Sequence, residues 1–219
     1  NKQILDCKKR KKAPILVGGT GLYFKALTDG LVNIPSIPIK LRKKIRSLHA
    51  RIGAKNFFLK LIKLDPLVIN NINPSDTQRS IRAYEIKLFT NKSMYEWFNK
   101  TKSKYEKEDF YKIYIDFPRK ELLERISLRA HEMIKKGAAQ EVKKFIKLRV
   151  LKSKSAYKAI GVNELRKYLN KEIQIDEVIE KISIKTRQYA KRQTTWGRSN
   201  MIDWYKVKPN ELNKFLKKI

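Results

Sequence analysis

The stretch Ile15–Gly21, with the sequence ILVGGTG, decides the fold class of this chain. Its three consecutive apolar residues are typical of a strand buried on both faces, and the glycines that follow predict a tight turn. The apolar residues from Leu22 to Leu27 then predict a helix. A strand, a glycine turn and a helix in this order form half of a β-α-β unit, so we predict an α/β core. Because a parallel strand needs a neighbour and no strand pattern precedes this one, we expect the N-terminal part of the core to be missing from the chain.

The rest of the chain combines further core elements with a long helical segment. Residues 112–117 alternate between polar and apolar side chains and predict a second core strand, and residues 201–207 predict a last one. The segment 37–110 carries helical patterns and no convincing strand. We therefore predict an α/β core made of residues 1–36 and 111–219, interrupted by a helical insertion at residues 37–110.

One helix of this insertion has a recognisable start. Ser75 and Gln78 have the spacing of a capping box, in which each side chain bonds to the backbone of the other residue. The helix that follows is predicted to direct Ile81, Tyr84 and Leu88 towards a core, because they recur at three- and four-residue steps.

Charge is the main feature of the composition. The chain has 219 residues, with 52 Lys and Arg against 21 Asp and Glu, which gives a formal net charge of +31. Such an excess is most easily tolerated beside a polyanion, of which nucleic acid is the first candidate and an anionic membrane surface the second. A hydrophobic fraction of 42% argues against a disordered basic tail. No apolar run approaches the roughly 18 residues of a membrane span.

Cysteine and histidine are too scarce for several kinds of site. Cys7 is the only cysteine, so no internal disulfide is possible, and this fits a cytoplasmic location. One cysteine and two histidines also cannot assemble a zinc site of the usual kind.

The segment Ile184–Arg198 contains five cations and no acid. On a helix, Arg187, Lys191, Thr194 and Arg198 share one face, while Trp196 continues the apolar face beside it. Cations that alternate with hydrogen-bonding side chains suit a phosphate backbone, although a solvated lysine-rich helix explains the pattern equally well.

Five stretches, in order and at characteristic spacing, resemble one family, the tRNA dimethylallyltransferases. They are PILVGGTGLYFKALTDGL (14–31), INPSDTQRSIRAYEI (72–86), ERISLRAHEMIKKGAAQEV (124–142), AIGVNEL (159–165) and TRQYAKRQTTWGR (186–198). Two positions depart from the family pattern: Val162 stands where an aromatic residue is usual, and Gly197 stands where a bulkier residue is common.

The resemblance implies an enzyme that transfers a dimethylallyl group from dimethylallyl diphosphate to the exocyclic amine of the adenosine 3′ to the anticodon. It implies a fold similar to the P-loop kinases, with a helical insertion that binds the anticodon stem-loop. The target base must leave its stack, because its amine is otherwise out of the donor's reach. Mg²⁺ is expected with the diphosphate, although no metal ligand can be assigned in this chain. The family also implies a monomer.

The resemblance assigns roles to particular residues. The Thr20 hydroxyl is expected to contact the flipped nucleotide, although a cap of the glycine turn also explains this threonine. Arg129 is expected to hold the diphosphate, whose negative charge grows as the allylic C–O bond breaks. An exposed ion pair with Glu132 would also explain the presence of an arginine at position 129, with no role in binding or catalysis. The other residues that the resemblance places at the tRNA are Arg42, Gln78, Arg79, Arg82, Lys158, Asn163, Lys191, Arg192, Gln193, Thr195 and Arg198.

Two elements of the family are not found. The eight glycines cannot form a G-x-x-x-x-G-K-[ST] phosphate loop, and no aspartate in the right context can serve as the general base. We therefore expect this chain to bind RNA weakly and to be inactive alone. The alternatives are a non-catalytic RNA-binding remnant or paralogue and, with a similar core, a P-loop nucleoside or small-molecule kinase.

Overall fold

The computed structural model describes residues 2–151 and 154–217. The chain forms two compact units, which we call the core unit, Asn1–Gly21 with Tyr111–Ile219, and the helical unit, Leu22–Phe110. Residues 22–36, predicted from the sequence to belong to the core, are grouped with the helical unit in the structure. None of the helices in the described residues is both long and apolar enough to cross a membrane.

The described residues are mostly helical, with one small sheet. The helices are α1 (Lys2–Lys9), α2 (Gly21–Thr28), α3 (Ile39–Leu64), α4 (Thr77–Thr90), α5 (Met94–Asn99), α6 (Arg119–Lys135), α7 (Ala138–Lys147), α8 (Val162–Leu169), α9 (Ile175–Asn200) and α10 (Leu212–Leu216). Short 3-10 turns occur at Pro66–Val68, Lys107–Asp109, Ser155–Lys158 and Pro209–Glu211. The strands are β1 (Ile113–Ile115) and β2 (Tyr205–Val207).

The helical unit is built around the packing of α3 on α4. Gly53 divides α3 into two helical halves, because its backbone (φ 77°, ψ 165°) is not helical. The apolar stripes of both helices meet in two clusters, and this burial stabilises the two helices. The buried members of these clusters are Ile37, Ile45, Phe57, Phe58, Leu61, Val68, Ile72, Ile81, Ala83, Ile86 and Met94.

Two predictions about α4 were wrong. Its N-terminal cap is Asp76, whose carboxylate accepts a hydrogen bond from the Arg79 amide, while Ser75 instead donates its hydroxyl to the side chain of Asn73. An aspartate caps better here because it sits one residue closer to the first helical turn and also adds favourable negative charge there. Leu88 is exposed, because the buried residues of α4 end at Ile86, two positions earlier.

The core unit combines the sheet with α6 to α9. Strands β1 and β2 pair in parallel, with Ile113 opposite Tyr205 and Ile115 opposite Val207. Helix α6 packs on α9, and α8 packs on both α7 and α9. Their apolar faces enclose a cluster whose buried members are Ala130, Val142, Leu165, Val178 and Ile182.

The prediction of a buried strand at residues 15–17 was wrong. Ile15 and Val17 are 85% and 91% exposed, and no strand of the described residues pairs with this segment. A run of three apolar residues becomes a buried strand only when a neighbouring strand and covering helices are present. The helix predicted after the glycine turn is present as α2, and both later strands form, each as a three-residue segment.

Candidate nucleic-acid interface

The helical unit holds a cluster of three arginines around one carboxylate. Arg42 and Arg46 lie one turn apart on α3, and Arg82 projects from α4. All three approach Glu85, which is buried. Arg42 and Arg82 were predicted from the sequence to contact the RNA, whereas Arg46 and Glu85 were not. The four-residue step from Arg42 to Arg46 and the three-residue step from Arg82 to Glu85 were the available signals.

The first turn of α4 carries the two other predicted RNA contacts of this unit. Gln78 is exposed, and the guanidinium of Arg79 is also exposed, 3.5 Å from the Asp76 carboxylate. Burial raises the pKa of the nearby Tyr95 phenol, and the charges of Asp65 and Asp76 add to this effect while Arg79 opposes it. The phenol is therefore a neutral hydrogen-bond donor at pH 7.

In the core unit, the glycine turn lies against α9. The Gln193 amide nitrogen donates a hydrogen bond to the Gly19 carbonyl at 2.6 Å. A Cβ atom at Gly21 would lie 2.0 Å from the Trp196 ring, so glycine is required where the indole packs. Thr20, between these two contacts, is exposed. The structure therefore brings Thr20 beside α9, and it shows Gln193 and Trp196 as residues that hold the turn.

Several polar side chains in the C-terminal half of α9 face the solvent, whereas Lys181 and Lys185 of the same helix form ion pairs. Lys191, Thr195 and Arg198 are exposed, and the Arg192 guanidinium lies 5.7 Å from the centre of the Tyr189 ring. Lys191, Arg192 and Thr195 also line a shallow depression, together with Trp196, Ser199 and Asn200.

Gly197, the second departure from the family pattern, has a packing explanation. It is buried, and a Cβ atom there would lie 2.8 Å from the Tyr114 ring of β1. The tyrosine fills the space that a bulkier residue at position 197 would occupy.

The loop before α8 is held by Glu164. This buried carboxylate accepts hydrogen bonds from the Gly161 amide, at 3.0 Å, and from the Lys185 ammonium on α9. Burial alone would raise the pKa of Glu164, but the hydrogen bonds from Lys185 and from backbone amides, with the lysine charge, lower it below 4.5. Of the predicted RNA contacts in this region, Lys158, at the end of a 3-10 turn, is exposed, whereas Asn163, in the first turn of α8, is half-buried and accepts a hydrogen bond from Arg166.

Arg129 lies on an exposed part of α6 and makes no ion pair with a described residue. Glu132, its alternative partner, pairs instead with Lys136 at 3.2 Å. The neighbouring Arg125 has its guanidinium 4.9 Å from the centre of the Phe117 ring. The guanidinium of Arg129 is therefore available to a ligand.

A magnesium site cannot be assigned to this part of the protein. Within residues 2–151 and 154–217, no group of three or more His, Cys, Asp or Glu side chains is close enough to hold a metal ion. A cleft between α6 and α9 contains His131, Asp176, Glu180 and Arg187, but Arg129 does not line it.

Comparison with known proteins identifies the family. Residues 1–200 match the family model of the IPP transferases. A tRNA dimethylallyltransferase of Pelagibacter ubique (strain HTCC1062) is 55% identical over 218 of the 219 residues of this chain, which cover 70% of that protein. A tRNA dimethylallyltransferase of Rickettsia massiliae (strain Mtu5) is 41% identical over 203 residues, which are 92% of this chain and 55% of that protein.

A solved structure supports the same assignment. The crystallographic structure of a eukaryotic dimethylallyltransferase acting on tRNA superposes with a TM-score of 0.75 at 27% identity, over 94% of this chain and 54% of that one. The chain thus spans between about half and 70% of the length of these relatives. The five motifs, the helical unit joined to an α/β unit and the matched relatives together show that this chain belongs to the tRNA dimethylallyltransferase (IPP transferase) family.

Proposed function

We propose that this chain supplies the tRNA-binding surface and part of the donor site of an enzyme that prenylates tRNA. The enzyme transfers a dimethylallyl group from dimethylallyl diphosphate to the exocyclic amine of the adenosine 3′ to the anticodon. The observation that carries this proposal is the contact between the glycine turn and α9. It holds the turn that carries the exposed Thr20 against α9, a helix whose C-terminal half also carries the exposed Lys191 and Arg198 and belongs to the family's motif.

The wider proposal follows the family. It includes a core of the P-loop kinase kind, an anticodon stem-loop as the RNA, a cytoplasmic monomer and RNA contacts in both units. The net charge of +31 supports an RNA partner, because a hairpin backbone neutralises the repulsion among clustered cations. A nucleoside kinase binds a small substrate and therefore does not need this many exposed cations.

The reaction breaks the allylic C–O bond of the donor and forms a C–N bond to the amine, which then loses a proton. Negative charge therefore grows on the departing diphosphate, and a guanidinium stabilises that charge best when it is positioned beforehand. Arg129, exposed and without an acidic partner among the described residues, is suited to this role. We assign no general base within this chain. Mg²⁺ would neutralise part of the diphosphate charge, but the described residues offer no acidic cluster for it.

The RNA part of the proposal is tested by fluorescence anisotropy with a labelled anticodon stem-loop over a range of salt concentrations. If about four cations contact phosphates, the logarithm of the affinity should fall with the logarithm of the salt concentration with a slope of roughly −3 to −4. Lys191→Ala should weaken binding and reduce the slope by about 1. Lys147→Ala, which removes one exposed charge at the end of α7, is the matched control and should leave both unchanged. A flat salt response, or equal effects of the two variants, would contradict the proposed surface.

The chemical part is tested separately from RNA binding. The longest natural open reading frame that contains this chain should transfer a labelled prenyl group from dimethylallyl diphosphate to the stem-loop. Hairpin binding without any transfer by that protein would favour a non-catalytic RNA-binding protein instead.

A further inference from the structure

Glu85 is a buried acid that faces three arginines. Its side chain is only 2% exposed, whereas those of Arg42, Arg46 and Arg82 are 44%, 57% and 43% exposed. Removing a carboxylate from water is unfavourable unless cations and hydrogen bonds compensate for the loss. The arrangement is therefore one internal anion surrounded by three cations that still reach the solvent.

The contacts to Glu85 are loose. Arg82 Nη1 lies 3.4 Å and Arg42 Nε lies 3.6 Å from Oε2, while Arg46 Nε lies 3.8 Å from Oε1. Close charge-assisted hydrogen bonds of this kind measure about 2.7–2.9 Å. The buried Oε1 atom has no hydrogen-bond partner, and each guanidinium has five N–H donors, so most donors remain unused.

The charges of this cluster do not cancel. Three guanidinium groups and one carboxylate leave a local excess of two positive charges on the exposed side. Without an anion beneath them, the guanidinium groups would repel one another and separate into solvent. With the carboxylate below, they are attracted to a common point, and their planar forks suit the oxygens of a phosphate group.

We propose that Glu85 is a positioning residue, whose buried carboxylate holds Arg42, Arg46 and Arg82 as a preformed site for a backbone phosphate of the RNA hairpin. Arg46, which no sequence motif assigned, becomes a phosphate contact of this site. The inference rests on the proposed function, because it requires that the helical unit binds RNA. The cost of ordering three long side chains is met during folding, so it does not reduce the affinity for RNA.

Glu85→Gln gives a test because a positioning role for Glu85 and a simple charge effect predict opposite changes in RNA affinity. This substitution removes one negative charge, so simple charge attraction predicts tighter RNA binding. If Glu85 positions the arginines, binding of the labelled anticodon stem-loop should instead become about 5- to 10-fold weaker, as expected for the loss of one ordinary hydrogen bond. The full 219-residue chain is used, and circular dichroism melting is recorded for each variant.

Arg46→Gln is the second variant, because it changes an exposed side chain and leaves the buried carboxylate in place. It should weaken hairpin binding by a similar factor and reduce the salt slope by about 1. Arg51→Gln, which removes an exposed arginine from the same helix, is the matched control and should have little effect. The double variant Glu85→Gln/Arg46→Gln should lose less than the sum of the two single losses, because both substitutions disrupt one site.

Unchanged or tighter hairpin binding by a folded Glu85→Gln variant would overturn the inference. If that variant does not fold, the comparison between Arg46→Gln and Arg51→Gln decides the question, and equal effects would overturn the inference. The proposed function has its own readout. If the wild-type chain binds the hairpin and Lys191→Ala weakens that binding, but Glu85→Gln and Arg46→Gln have no such effect, only the arginine site is refuted.

Discussion

We predict that removing Lys185 and removing the charge of Glu164, the two partners of one ion pair, reduce stability by unequal amounts. The Glu164 side chain is 4% exposed, whereas that of Lys185 is 48% exposed. Lys185→Met therefore leaves a buried carboxylate without its cation. Glu164→Gln, in contrast, leaves a lysine that can turn into water, and the new amide oxygen can still accept the hydrogen bond from Gly161.

The expected magnitudes follow from this asymmetry. Removing one partner of a buried ion pair costs about 3–5 kcal/mol, and we expect the lower end, about 3 kcal/mol, because the Gly161 amide remains bonded. Glu164→Gln should cost about 1–1.5 kcal/mol, the net contribution of one hydrogen bond. For a chain of this length, these values correspond to falls in melting temperature of about 6–12 °C and about 2–6 °C.

The difference should depend on pH. The pKa of Glu164 is lowered in the folded state, so the ion pair contributes stability above the unfolded value of 4.5 and loses that contribution as pH falls through the folded pKa. In Lys185→Met, burial without the lysine should raise the pKa of Glu164, which lets the carboxyl group become neutral. The stability difference between wild type and Lys185→Met should therefore shrink at pH 4.

Urea denaturation at pH 7 and pH 4, followed by tryptophan fluorescence, measures both effects. A Trp97→Phe background restricts the signal to Trp196 and Trp204, which belong to the core unit. Lys181→Met is the matched control on α9, because Lys181 and its partner Glu177 are both exposed (41% and 44%), and it should cost less than about 1 kcal/mol. Equal costs for Lys185→Met and Glu164→Gln, or a cost of Lys185→Met that is the same at both pH values, would refute the reasoning.

Three further substitutions test other features. Gly21→Ala would place a Cβ atom 2.0 Å from the Trp196 ring, so the free energy of unfolding should fall by about 1–3 kcal/mol in urea titrations. Gly53→Ala meets no atom within 4 Å, so its cost, about 1–3 kcal/mol, should come from backbone strain alone. D-alanine at the same position, introduced by chemical ligation, should be tolerated, and equal costs for both enantiomers would contradict the strain argument. Arg129→Ala, in the longest natural open reading frame containing this chain, should reduce prenyl transfer more than hairpin affinity. Arg125→Ala, whose guanidinium rests on an aromatic ring, is the control and should reduce transfer less.

Helices and family membership could be predicted because they depend on short-range patterns. The apolar spacing in α4 and α9 and the glycine turn before α2 lie within single segments, and each element formed. The segment at residues 15–17 misled the prediction because a buried strand depends on neighbours that its own residues do not reveal. The start of α4 was misplaced by one residue because Ser75 and Asp76 are both good caps, and the backbone geometry selects between them.

The sequence by itself determined which chemistry is available: an excess of cations, the glycine turn and the family motifs, all of which can be recognised from residue type and spacing. Only the tertiary structure decided which residues meet, such as Gln193 with Gly19, 174 positions away, or Glu85 with arginines from two helices. The physical reason is that periodicity specifies which side of a helix is apolar but not what packs against it. The buried carboxylates Glu85 and Glu164 are read from sequence as ordinary surface acids, and it is helix packing that turns them into centres that hold cations in place.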